Sequence, residues 1–242
     1  MENTLLILGA GASKDFCRIF PTGLELIKDI NYHCLTEHKY PEAHESDGIY
    51  LSALMNDIVR TFGNKVDLFK KIKNRLWDIQ LKYEWESLRN KQDNPVSIDH
   101  FIADKIRNGE LEPIASEIIK YAIYYLIKGT EQAFSEGDYS PADSWIGELA
   151  KKLSTYDFET IKNNLTVVTF NYDRTFEKYF TESLSQHMSL SLQIDDLQDN
   201  VLHVYDSLGN LKEIPFKLEN ERYEIISRHF CKIMLIDERS ET

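Results

Sequence analysis

The sequence predicts an α/β fold that is built on a parallel sheet and carries a large helical insertion. Four short runs of β-branched and aromatic residues, each bounded by turn residues, are predicted strands: 4–9, 165–170, 201–205 and 232–237. These runs are almost continuously apolar, a pattern typical of parallel strands that are covered on both faces. Residues 10–164 separate the first two strands, far more chain than a crossover needs, so much of that stretch is predicted to be an insertion.

The stretch between the first two strands has helical periodicity. Helices are predicted at 22–35, 49–62, 65–90, 97–107, 113–135 and 141–153. In the fifth of these, apolar residues recur at intervals of three and four, the stripe of a helix that packs on a core: Ala115, Ile118, Ile119, Ala122, Ile123 and Leu126. The predicted organisation is therefore a sheet domain made of residues 1–35 and 161–242 and a helical lobe made of residues 36–160.

Composition narrows the classes of function. The chain has 242 residues, of which 42% are hydrophobic, enough for a sizeable core, and its net charge of −12 argues against direct nucleic-acid binding. The three cysteines, Cys17, Cys34 and Cys231, form no CxxC pair, so neither a metal site nor a disulfide framework is predicted. We find no N-terminal signal and no apolar run near the ~20 residues that cross a bilayer, so a cytoplasmic protein without membrane contact is expected.

The first predicted strand runs directly into the sequence GAGAS, residues 9–13. Gly9 and Gly11 let the backbone approach a ligand closely, and a helix that begins near Ala12 would turn its free N–H groups towards the same point, as phosphate-binding loops do. Residue 14 is lysine, so the G-x-G-x-x-G dinucleotide fingerprint is incomplete, and no G-x-x-x-x-G-K-[ST] P-loop occurs. Alone, the loop indicates phosphate binding without specifying the nucleotide.

A second polar segment follows the second predicted strand. Residues 169–173, TFNYD, place Asn171 and Asp173 between this strand and an amphipathic helix. Parallel sheets bind ligands at the carboxyl ends of their strands, where such residues meet. Asp173 also has a structural interpretation as the N-cap of the helix. Asn171 has no comparable structural task, and a neutral amide there suits a sugar hydroxyl or a water molecule.

Taken in order, GAGAS, the PTG of 21–23, TFNYD and the HVYDSLG of 203–209 make the chain resemble the sirtuin-like NAD-binding domains of bacteria. The resemblance implies a Rossmann-like parallel sheet with NAD as its ligand. It implies that Gly9, Ala10, Gly11, Ala12 and Ser13 hold the pyrophosphate. It also places Thr22 near the nicotinamide end and Asn171 with Asp173 at the ribose, and it adds Ser207 to the NAD-binding residues. The glycine bend and Asn171 are then expected at opposite ends of one dinucleotide-sized cleft.

The last motif departs from the family pattern. When Ser207 is aligned, Tyr205 and Asp206 stand where the family has a His-Gly pair whose histidine acts as a base towards the ribose. His203 lies two residues earlier, on the same face of the predicted strand as Tyr205, and is expected at the edge of the site or, alternatively, bonded to a neighbouring backbone group. The expected catalytic set is Asn171, His203, Tyr205 and Asp206. The four zinc cysteines of protein-deacylating sirtuins are missing, so deacetylation is not expected.

Two functions of different classes follow from the resemblance. One is an NAD+ hydrolase (NADase) that releases nicotinamide and ADP-ribose, as in bacterial anti-phage defence. Asn171 would position water, while Asp173 or Asp206 would stabilise positive charge on the sugar, because nicotinamide leaves as a neutral molecule. The other is a catalytically impaired module that binds NAD or ADP-ribose or serves in assembly. A homo-oligomer or a defence-system partner protein is compatible with either function.

Overall fold

The computed structural model of the chain describes residues 1–35, 53–63, 68, 71–72, 74–75, 77–78, 105–136, 141–217 and 222–230. Its strands are β1 (Thr4–Leu8), β2 (Leu165–Thr169) and β3 (Val201–His203). Its α-helices are α1 (Ala10–Phe16), α2 (Gly23–Leu35), α3 (Ala53–Phe62), α4 (Ile114–Glu136), α5 (Trp145–Leu153), α6 (Phe158–Asn164), α7 (Thr175–Met188) and α8 (Arg222–His229). The predicted strand 232–237 and most of the predicted helices 65–90 and 97–107 lie outside the described residues.

The three strands form one parallel sheet in the order β1-β2-β3. Leu8 pairs with Thr169, and Thr169 pairs with His203, so all three strands end at the same edge. This sheet, with helices between its strands, confirms the predicted α/β class. The third strand is shorter than predicted: it ends at His203, and Tyr205 lies in a turn.

The two faces of the sheet differ in burial. One face packs on the core of the sheet unit through Leu8, Leu165 and Val167. The other face exposes Leu5, Ile7 and Leu202, which are 60%, 67% and 56% accessible. Within the part of the chain that the structure describes, helices cover only one face of these three strands, against the expectation of two covered faces, because a continuous apolar run looks the same whether one face or both are covered.

The chain divides into two compact units. The first comprises Met1–Thr22 and Ile127–Arg222 and contains the sheet; the second comprises Gly23–Leu126 and Tyr223–Thr242. The predicted division had instead joined 1–35 to the sheet and assigned 36–160 to the lobe. Helix α5 belongs with the sheet because its apolar side chains share the core of α7: Ile146, Ala150, Leu153, Phe176, Phe180 and Leu184.

The second unit has an aromatic cluster of its own. The rings of Phe62, Tyr121 and Phe230 pack with centroids between 5.3 and 6.0 Å apart. Edge-to-face packing of this kind adds to the stabilisation from burial.

Among the described helices of the whole chain, none combines the length and the apolar character that a bilayer crossing demands.

A buried charge cluster fixes the residue that follows Asp173. Arg174 Nη2 lies 2.6 Å from Glu131 Oε2, and Lys128 Nζ lies 3.0 Å from the same oxygen, with all three residues almost completely buried. Burial alone would raise the pKa of Glu131, but the two cations hold it below its usual value. Arg174 Nη1 also donates to the carbonyl oxygens of Gly209 and Ile214, at 2.9 and 2.7 Å. The cluster thereby anchors the start of α7.

Candidate functional site

The site lies where β1 and β2 end side by side. Phe170 N donates to Leu8 O at 2.9 Å, so the two chains stay paired for one step beyond β2. Residues 9–13 leave the end of β1 and residues 171–173 leave the end of β2, which brings the two sequence motifs to one edge of the sheet. Carboxyl ends of neighbouring parallel strands form the usual binding edge of α/β proteins.

Asn171 joins the two motifs directly. Its Nδ2 donates to Gly9 O at 3.1 Å and to Ser13 Oγ at 2.9 Å. The orientation of the amide follows from chemistry, because the carbonyl of Gly9 can only accept and must face an N–H group. Ser13 Oγ in turn donates to Asp173 Oδ1 at 3.0 Å. A continuous hydrogen-bonded chain therefore runs from the glycine loop through Asn171 and Ser13 to Asp173.

Asp173 serves both as a site carboxylate and as a helix-start residue. Its Oδ1 accepts a bond from Thr175 N, the first N–H of α7, at 3.1 Å, although Asp173 is not the N-cap of that helix, so the N-cap prediction is wrong. The N-cap position itself is Arg174, one residue later than predicted. Burial raises the pKa of Asp173 to about 6; the bonds from Thr175 and Ser13 oppose that rise, and the charge of Glu131 adds to it.

His203 is held at both ring nitrogens. Nδ1 lies 2.8 Å from the backbone oxygen of Asn171, and Nε2 lies 2.5 Å from Glu177 Oε1. Both neighbours are acceptors, so the ring carries a proton on each nitrogen when Glu177 is ionised. Burial would lower the pKa of His203, but the Glu177 carboxylate and the Asn171 carbonyl raise it above its usual value. The predicted interpretation of a histidine bonded to neighbouring backbone is confirmed, and the ring acts here as a donor.

The segment after β3 does not follow the spacing expected from the sequence. Because β3 ends at His203 and not at Tyr205 as predicted, the rule that alternate strand residues share a face does not extend to Tyr205. The Tyr205 ring lies near Phe170 and Tyr172, with centroids 6.0 and 6.5 Å away. Asp206 adopts a positive φ of 60°, and Ser207 Oγ accepts a local bond from Gly209 N.

A small cavity lies beside Asn171. Its free volume is about 10 Å³, enough for about one water molecule. It is lined by Leu8, Ala12, Ser13, Trp145, Ile146, Thr169, Asn171, Asp173, Thr175, Phe176 and Glu177. Of the predicted site residues, the lining contains Ala12, Ser13, Asn171 and Asp173. Gly9 and His203 do not line the cavity but are hydrogen-bonded to Asn171. The remaining predicted site residues are absent from the lining: Ala10, Gly11, Thr22, Tyr205, Asp206 and Ser207.

The expectation that Gly9 and Asn171 lie at opposite ends of a cleft of dinucleotide length is wrong. The two residues are hydrogen-bonded to each other, and the cavity at this point is the size of a water molecule. The outer side of the loop is open instead: a Cβ added at Gly9 or Gly11 would meet no atom of the described chain within 4 Å. Gly9 has an extended φ of −120°, which any residue adopts, so the described fold does not itself require these glycines.

Three residues at the site were missed by sequence reasoning. Glu177 holds His203, Thr175 lines the cavity, and the indole Nε1 of Trp145 donates to Ala12 O at 3.0 Å and so supports the glycine loop. A signal for Glu177 exists, since it follows Asp173 by four residues in the first turn of the helix. Trp145 had no such signal, because its segment was assigned to the helical lobe.

Three polar atoms at the cavity are buried without a hydrogen-bond partner among the described residues. They are Asn171 Oδ1, Thr175 Oγ1 and Glu177 Oε2. Such unpaired groups are uncommon in folded proteins and mark a bound molecule or stored strain. The Asn171 amide therefore has both hydrogens engaged and its oxygen still available as an acceptor.

Neither a metal site nor a similarity to a known protein identifies the function of this site. Among the described residues, no group of three or more His, Cys, Asp or Glu side chains is arranged to hold a metal ion. No protein-family model, curated protein or solved structure matches the chain. The geometry at the ends of β1, β2 and β3 is therefore the basis for assigning a function.

Proposed function

We propose that this chain is a sirtuin-like NAD+ hydrolase of bacterial anti-phage defence, which releases nicotinamide and ADP-ribose. The observation that carries the proposal is the hydrogen-bonded chain from Gly9 and Ser13 through Asn171 to Asp173. It unites GAGAS and TFNYD, two of the four motifs on which the resemblance rests, at the carboxyl ends of neighbouring parallel strands. The same arrangement supports a Rossmann-like sheet as the underlying fold.

The glycine loop would bind the pyrophosphate on its outer side. The space at Gly9 and Gly11 is open, and the described fold does not need a glycine at either position, so a bulky group approaching the backbone gives them a purpose. Ala12 N already donates to Gly9 O at 2.8 Å, so the N–H groups of Ala10 and Gly11 at the start of α1 would be the ones to face the anion. The cavity is too small for a nucleotide, so the ligand would lie over the loop and not within that cavity.

Asn171 and Asp173 would serve the ribose. Both Asn171 N–H groups are engaged and its oxygen is buried, so that oxygen would accept a bond from a water molecule beside the ribose. Asp173, with a pKa of about 6, is mostly ionised at neutral pH and would stabilise positive charge that develops on the sugar. The broken C–N bond leaves its electron pair with nicotinamide, the water oxygen bonds to the ribose carbon, and the water releases one proton.

Release of nicotinamide from NAD+ tests the proposal. The purified full chain is incubated with NAD+, and nicotinamide and ADP-ribose are quantified by chromatography for wild type, Asn171→Ala and Thr181→Val. Thr181 is a buried residue of α7 outside the cavity and serves as the matched control. We expect equal release by wild type and the control and a loss of at least about 10²-fold in Asn171→Ala. Equal rates for all three, or no release by wild type at any chain concentration, would overturn the proposal.

A second candidate, a module that binds NAD or ADP-ribose without cleaving it, is favoured by the state of His203. Nδ1 faces the Asn171 carbonyl and Nε2 faces the Glu177 carboxylate, so both ring nitrogens already have a partner and neither faces a ligand as a free base. Calorimetric titration with ADP-ribose and NAD+ separates the two candidates. Binding of both without nicotinamide release would support the module, and binding accompanied by release would support the hydrolase.

A further inference from the structure

We propose that the cavity beside Asn171 is a binding site for a single water molecule. Its ligands would be Asn171 Oδ1, Thr175 Oγ1 and Glu177 Oε2, the three buried polar atoms that lack a partner among the described residues. All three residues line this one cavity. The inference stands whether or not the chain cleaves NAD, because it rests on the hydrogen-bonding needs of these atoms alone.

The donors and acceptors of one water molecule match the three atoms. Asn171 Oδ1 and an ionised Glu177 Oε2 can only accept, and a water molecule has two hydrogens to donate to them. The Thr175 hydroxyl can donate, and a water oxygen accepts. All three ligands are then satisfied, and three bonds is the typical number for a buried water. Without such a molecule, the buried carboxylate oxygen and amide oxygen would remain desolvated and unpaired, which is costly.

The size of the cavity selects a molecule no larger than water. A free volume of about 10 Å³ corresponds to roughly one water-sized sphere. Empty cavities of this size in proteins are lined by apolar groups, whereas polar ones hold water. Asn171 is 8% and Thr175 is 1% accessible, so a molecule bound to both is shielded from bulk solvent.

The water would link the strand end to the first turn of α7. Asn171 follows β2, whereas Thr175 and Glu177 belong to α7, and the bonds of Asn171 run to the glycine loop, Thr169 and His203. Glu177 uses Oε1 for His203, so the water on Oε2 would extend that contact to the side-chain amide of Asn171. The amide would then be fixed on its oxygen side as it is on its nitrogen side.

A high-resolution crystal structure of the full chain, grown without ammonium or sodium salts, tests the inference. We expect one spherical density peak in the cavity, within hydrogen-bonding distance of all three atoms. An empty cavity in a map that shows other buried waters would overturn it. So would a direct bond formed between Asn171 and Glu177 by side-chain rotation, or a peak whose short ligand distances identify a cation.

Water relaxation dispersion in solution provides a second measurement that needs no crystal. We expect wild type and Thr181→Val to have the same number of long-lived waters, and Thr175→Val to have one fewer. Thr181 is the matched control because its hydroxyl is also buried and unpartnered on α7 among the described residues, but lies outside the cavity. An unchanged count in folded Thr175→Val, or a loss in both variants, would contradict the proposed site. If Thr175→Val fails to fold, the wild-type density still decides the question.

Discussion

His203 Nε2 lies 2.5 Å from Glu177 Oε1, so the last residue of β3 is tied to the first turn of α7. The other ring nitrogen faces the carbonyl oxygen of Asn171, so both ring nitrogens have a partner. The histidine of the HVYDSLG segment therefore lies beside the TFNYD segment and is bonded both to it and to α7. The pair therefore organises the site, and its charge state can be measured.

We predict that Glu177→Gln lowers the pKa of His203. The carboxylate is what raises this pKa against the effect of burial, and an amide cannot replace its charge. Because the folded-state pKa is raised, the stabilisation is full below pH 6.5 and is lost as the pH rises through the folded value. Glu177→Gln should therefore destabilise the chain more at pH 6 than at pH 9. NMR titration of the His203 ring and chemical unfolding at both values provide the measurement.

Glu182→Gln is the matched control for this prediction. Glu182 lies on the same helix, is paired with Lys178 at 2.6 Å and is 42% accessible, so its loss should leave the His203 titration unchanged. If His203 titrates at the same pH in Glu177→Gln as in wild type, the ion pair does not set its charge.

Asp173→Asn is expected to stabilise the folded chain at pH 7. The amide keeps an oxygen to accept the bonds from Ser13 and Thr175 but removes a buried charge. One pKa unit corresponds to about 1.4 kcal/mol, so a rise from 3.8 to about 6 costs the ionised wild type up to about 3 kcal/mol above pH 6. Since the folded pKa is raised, wild-type stability should increase as the pH falls from 7 to 4. The gain in the variant should shrink over the same range.

Asp157→Asn should behave in the opposite way. Asp157 is an exposed N-cap whose pKa is lowered by its bonds to Thr160, so its charge stabilises the fold above the unfolded pKa and is lost in acid. Urea unfolding of wild type and both variants at pH 4, 5.5 and 7 gives the free energy of unfolding as a function of pH. If this pH dependence is the same in Asp173→Asn as in wild type, Asp173 is not the buried titrating group.

The strands could be predicted because each is a short, continuous run of β-branched residues. β1 and β2 end within one residue of the prediction, whereas the V-L-H-V-Y run continued past the end of β3, where Asp206 turns the chain with a positive φ. The side-chain pattern alone does not indicate the residue at which the backbone hydrogen bonding of a strand ends. Helix α4 spans Ile114–Glu136, close to the predicted 113–135, because the spacing of its apolar residues follows the face that is buried.

The contacts of the site could not be predicted to the same degree. The bond between Asn171 and Gly9 spans 162 positions of sequence and depends on the pairing of Leu8 with Thr169. Motif spacing indicated that the two residues share an edge but not that they touch. Glu177 has the appearance of an ordinary first-turn acidic residue, and only the end of β3 gives it a partner.

Removal of the carboxylate in Glu131→Gln is expected to destabilise the chain by about 3–5 kcal/mol. The change leaves two buried cations, Arg174 and Lys128, without their shared counter-charge. Glu136→Gln, at the exposed end of the same helix, should change stability by less than about 0.5 kcal/mol. Midpoints of urea unfolding at pH 7 give the comparison. Equal midpoints for the two variants would mean that carbonyl oxygens alone balance the buried cations.

Substitutions at Gly9 separate binding from folding. A Cβ at this position meets open space within the described chain and the backbone φ is ordinary, so Gly9→Ala and Gly9→Val should change the stability of the fold by no more than about 1 kcal/mol. A pyrophosphate that approaches this backbone would collide with the new side chain. We therefore expect affinity for ADP-ribose, measured by calorimetry, to fall by at least about tenfold in Gly9→Ala and further in Gly9→Val. Gly11→Ala lies in α1, where alanine favours the helix by up to about 1 kcal/mol, so it should bind less tightly while folding more stably. If a folded Gly9→Val protein binds ADP-ribose as tightly as wild type, the glycine loop is not part of the binding site.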